Sequence, residues 1–119
     1  MSDGGVDSRG ALEAVERVLN RGGDSRDVLR SVLEVLHARG VESGRVRYLK
    51  DGGLTGGISI GGGPSRIVTP IVFRDVEVGV LELAVDDLAF AERVATLISA
   101  HVSAASPTPA RNGPADLPP

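Results

Sequence analysis

The sequence predicts an α+β domain in which helices pack on one face of an antiparallel sheet. Three observations carry this expectation. Two segments with helical periodicity open the chain, four short β-branched runs broken by turn residues fill its middle, and a third helical segment follows them. All of this fits within 119 residues, enough for one domain whose core needs no metal or disulfide support.

Residues 1–9 are polar and glycine-rich and are expected to be disordered. Leu12, Val15, Val18 and Leu19 then recur at helical spacing until Gly22-Gly23, a suitable helix exit. The next segment has Asp24 or Ser25 as its cap, Asp27 in its first turn, a stripe of Leu29, Val32, Leu33 and Leu36, and Gly40 as its stop.

In "RVRYLK", Arg45 and Arg47 alternate with Val46 and Tyr48. The turn "DGG" leads into "LTGGISI", where Leu54, Ile58 and Ile60 share one parity, so these runs form a hairpin. "SRIVTPIVF" and "EVGVLELAV" form a second hairpin, joined by Arg74-Asp75-Val76-Glu77 without the favoured Asn-Gly or Asp-Gly. Pro70 fits best where its missing N–H faces away from a ladder bond. The last helix opens at Asp86-Asp87 and places Phe90, Val94, Leu97, Ile98 and His101 on one stripe. From Ser103 the chain is proline-rich and aperiodic, so residues 103–119 are expected to be a disordered tail and residues 10–102 the folded domain.

If Arg74 and Glu77 flank the second turn, Phe73 faces Val78, Ile71 faces Val80, Thr69 faces Glu82, and Ile67 faces Ala84. The wholly apolar side, with Val68, Pro70, Val72, Gly79, Leu81 and Leu83, is then expected to lie under the helices. Thr69 and Glu82 would form a polar pair on the other side.

Composition narrows the function. The chain has no cysteine, which excludes thiolate zinc sites and cysteine catalysis and suits a reducing cytoplasm. Its net charge of -3 is spread along the sequence, and one tyrosine and two phenylalanines offer little for base stacking, so nucleic acid is not an expected partner. No apolar run approaches a membrane span. The twelve arginines and one lysine, Lys50, resemble genomic coding bias more than a binding signal.

Gly57-Ile58-Ser59-Ile60-Gly61 matches a nucleophile elbow, and Asp86 or Asp87 followed by His101 completes the chain order of a hydrolase triad. That motif requires a strand, a sharp turn and a helix, whereas Ser59 sits inside a strand followed by another strand. Ser59 therefore reads as an outward hydroxyl. Seven glycines within residues 51–63 spell neither a P-loop nor a dinucleotide fingerprint, though their backbone amides suit an anion nest. His37 and His101 are the only histidines and have no carboxylates at metal-ligand spacing. "RGGDSRD" reads as a helix stop followed by a cap. No cofactor, metal or catalytic residue is expected.

Pro70, Gly79-Val80-Leu81 and Asp86-Asp87, in this order of elements, resemble the carboxy-terminal half of a GAF domain. The resemblance spans residues 10–102. It implies a GAF-like antiparallel sheet and a role as a sensory or dimerisation module in signalling. The lid that such domains insert between the two hairpins is here only "GGGPS", so the family's ligand residues have no matching positions. The expectation is a cytoplasmic, non-catalytic regulatory module acting through homodimerisation or protein–protein interaction, with Ile67, Ile71, Phe73, Val78 and Val80 as an exposed interface. The alternative is a small-molecule sensor holding its ligand on the open face with Tyr48, Ser65, Arg66, Thr69 and Glu82.

Overall fold

The computed structural model describes residues 7–105. The expectations for residues 1–6 and 106–119 lie outside that range. Three helices and four strands form the expected α+β arrangement, in the order α1 (Ser8–Arg21), α2 (Ser25–Ala38), β1 (Ser43–Lys50), β2 (Gly53–Gly61), β3 (Ile67–Phe73), β4 (Val76–Leu83) and α3 (Leu88–Ala105). The helices extend slightly past the expected domain limits, with Ser8 and Arg9 inside α1 and Ser103 to Ala105 inside α3.

Each helix starts at an aspartate. Asp7 accepts from the Gly10 amide at 3.2 Å, Asp24 from Arg26 at 3.2 Å, and Asp87 from Phe90 at 3.1 Å. Each carboxylate satisfies one orphan N–H and opposes the positive end of the helix dipole. Capped in this way, α2 presents Leu29, Val32, Leu33 and Leu36 along one buried face.

The sheet runs β2-β1-β4-β3, with every neighbouring pair antiparallel. β1 and β2 join through Asp51 and Gly52, both at positive φ, as the Asp-Gly pair favours. α2 lies against β1 and β2, α3 lies against β3 and β4, and α1 rests on α2 and α3. Val46, Ile71, Leu81 and Leu83 of the sheet are fully buried with Leu29, Leu33 and Ile98 of the helices. Burial of each such side chain contributes about 2 kcal/mol. Gly79 lets α3 come close, because a Cβ there would strike the Arg47 carbonyl and lie 3.2 Å from Val102 Cγ1.

The β3–β4 register differs from the expected one. Its turn is only Arg74-Asp75, with φ of 54° and 66°, so Phe73 pairs with Val76. Ile71 pairs with Gly79, Thr69 with Leu81 and Ile67 with Leu83, while a bulge leaves Val78 without a partner. This one-residue slip turns β3 over. Thr69 and Ile71 enter the core, and Val68, Pro70 and Val72 face solvent. Gly79, Leu81 and Leu83 of β4 lie in the core as expected.

Candidate functional site

The uncovered side of the sheet is built from strand alternation. On β1, Val46 and Tyr48 point to the helices, which leaves Arg45 and Arg47 on the opposite face. Arg45 lies between Ser59 of β2 and Glu82 of β4, and Arg47 lies between Gly57 and Val80. Glu82 Oε2 is 3.3 Å from Arg47 Nε, and its Oε1 is 3.8 Å from Arg45 Nη1.

Beside the arginines is a solvent-open depression of about 350 Å³, lined by Arg45, Arg47, Leu54, Thr55, Ser59 and the Gly56-Gly57 segment. Within that lining Gly57 packs tightly on β1, where a Cβ would run into the Val46 carbonyl. A smaller hollow of about 70 Å³ lies at the end of β2, lined by Ser43, Ser59, Ser65 and Gly61 to Gly63. The Ser43 hydroxyl donates to the Gly63 carbonyl at 2.8 Å and ties the glycine loop to β1.

The five residues expected to bind a ligand do not converge. Tyr48 is in the core at 2% exposure, and its hydroxyl has no hydrogen-bond partner among the described residues. Burial pushes its pKa above the usual 10.0, against a smaller downward pull from the Arg26 charge. Thr69, 4% exposed, also faces the helices, whereas Glu82 faces the open side. Ser65 and Arg66 lie in the β2–β3 connection, where Arg66 Nη1 is 3.2 Å from Asp86 Oδ1.

The apolar set expected at an interface is also dispersed. Ile71 is fully buried, Val80 is buried, and Ile67, Phe73 and Val78 are half-buried, with Ile67 and Val78 packed on the core. The Arg74 guanidinium stacks 5.0 Å above the Phe73 ring. The apolar row that is exposed is Val68, Pro70 and Val72, with Val68 at 62% and Val72 at 48%.

The suggested triad does not assemble. Ser59 is on the open face, while His101 of α3 lies on the helix side with Nδ1 3.4 Å from the Ser25 hydroxyl. Asp87 caps α3 and Asp86 pairs with Arg66. His37 Nδ1 is 3.0 Å from the Val41 carbonyl, at the end of α2. Among the described residues, no three His, Asp or Glu side chains are placed to hold a metal ion, and no helix is long and apolar enough to cross a membrane.

Arg45 and Arg47 are the polar residues that sequence reasoning left out of the site. Their signal was the alternation in "RVRYLK", which already put both on one face. No protein-family model matches the chain, and comparison with curated proteins and with solved structures gives no match.

Proposed function

We propose that this chain is a GAF-like, non-catalytic regulatory module that acts by self-association through its open sheet face. One observation carries the reading: helices cover one side of the sheet, while Val68, Pro70 and Val72 form an exposed apolar row on the other. Contiguous exposed apolar surface commonly marks a partner contact. A second copy is the favoured partner because a two-fold interface requires only one patch, facing itself. Pro70 lacks an N–H on edge strand β3, which favours face-to-face contact over strand addition at that edge. The element order and the helix-covered antiparallel sheet agree with the GAF-like part of the reading. A cytoplasmic location belongs to the same proposal and draws on the cysteine-free sequence.

Sedimentation equilibrium across a wide concentration range tests this. The wild-type chain is expected to reach a dimer mass, and Val68→Lys is expected to weaken association at least tenfold while leaving the circular dichroism spectrum unchanged. A wild-type chain that stays monomeric at every concentration overturns the proposal.

A further inference from the structure

We infer that the depression between β1 and β2 binds a small oxyanion-bearing metabolite, a phosphate monoester or a dicarboxylate, through Arg45 and Arg47. The two guanidinium groups leave the same face of one strand, two residues apart. Among the described residues only Glu82 pairs with them, at 3.3 Å and 3.8 Å, so one carboxylate is shared between two cations. Glu82 belongs to β4, on the other side of β1 from the depression, and among the described residues the depression's own lining holds no acidic residue. The site is therefore locally positive in a chain whose net charge is -3.

The opposite strand supplies space and further donors. Gly57 pairs with Arg47 and Ser59 with Arg45, so the partner of each arginine on β2 is a glycine or a short hydroxyl residue. The bulge between Arg47 and Tyr48 leaves Gly56 without a cross-strand partner, and Ser59, paired with Arg45, adds a hydroxyl on the arginine face. Leu54, 46% exposed, adds an apolar wall for a carbon skeleton. A volume of about 350 Å³ is at the small end of the range for metabolite pockets. Arginine suits this task because its planar fork matches the paired oxygens of phosphate and carboxylate.

The residues used here differ from those proposed for self-association, although both sets share one sheet face: the Val68–Val72 row lies on β3, and the depression between β1 and β2. Calorimetric titration with glycerol 3-phosphate, malonate and inorganic phosphate, at constant ionic strength set with chloride, provides the test. Saturable one-to-one binding of glycerol 3-phosphate or malonate is expected, and the tighter of the two identifies the source of the oxyanion. In the wild-type chain, amide resonance shifts should centre on Arg45–Arg47 and Thr55–Ser59, a readout that needs no variant to fold. Arg45→Gln combined with Arg47→Gln should weaken binding at least tenfold, whereas Val68→Lys should leave it unchanged. Absence of saturable binding to either organic anion, resonance shifts centred elsewhere, or undiminished affinity in the folded double variant overturns the inference.

Discussion

Arg47 Nε lies 3.3 Å from Glu82 Oε2 on the uncovered side of the sheet, bridging β1 and β4. The carboxylate also meets Arg45 at 3.8 Å, so it ties two arginines of one strand to the neighbouring strand. Its side chain is 15% exposed, but the arginine side chains are 46% and 38% exposed and solvent weakens both attractions. Glu82→Gln should therefore cost only about 0.5 kcal/mol. Urea unfolding at low and high salt checks this, and the difference from wild type should shrink as salt screens the wild-type pair. A loss that persists undiminished in high salt would assign Glu82 a packing role instead.

Tyr48 makes a separate prediction. Its buried hydroxyl has no hydrogen-bond partner among the described residues, and burial raises its pKa above 10.0 despite the opposing Arg26 charge. The native state then holds the phenolic proton more tightly than the unfolded chain does. The resulting stability is complete below about pH 10, the unfolded value, and is lost as pH rises through the folded value. Tyr48→Phe should remove this alkaline loss and, by deleting an unsatisfied polar atom, stabilise the neutral-pH protein by about 1 kcal/mol. Because Tyr48 is the only tyrosine, phenolate absorbance reports its titration alone. A transition at the ordinary value in the folded chain would contradict the burial argument.

The helices and the turn of the first hairpin were legible because local chemistry and global fold agree there, but the bulge at Gly56 breaks the parity expected for Leu54, Ile58 and Ile60, leaving Leu54 exposed while Ile58 is buried. Asp24 and Asp87 cap the helices that follow them, and Asp51-Gly52 adopts the positive φ values that such a pair favours. The second hairpin was not legible because Arg74 and Asp75 adopt φ values usually given to glycine or asparagine. Read as a longer connection, they shift the pairing by one residue and exchange Thr69 and Ile71 with Val68, Pro70 and Val72. An alternating apolar strand such as "IVTPIVF" gives little warning, since both of its faces are apolar apart from Thr69. The arginine pair was visible on the sequence, but its concave neighbour was not, because that neighbour is lined by β2 residues brought beside the arginines by a register with a bulge at Gly56.

The two-residue turn itself can be tested. Asp75 has φ of 66°, in a region where an L-residue bears a steric cost of about 1–2 kcal/mol that glycine avoids. Glycine loses about 0.5–1 kcal/mol through its greater freedom in the unfolded chain, and aspartate tolerates this region better than most residues. Asp75→Gly should therefore stabilise the domain by about 0.5 kcal/mol, raising Tm by roughly 2–4 °C. Asp75→Val should do the opposite, because a β-branched side chain fits positive φ poorly. Both positions are exposed, and Arg74 keeps its place over Phe73 in either variant, so the comparison isolates backbone conformation. Thermal unfolding of the two proteins should rank glycine above wild type and valine below it. The reverse order would mean that the turn holds more residues than Arg74 and Asp75, and with it the outward placement of Val68, Pro70 and Val72 would fail.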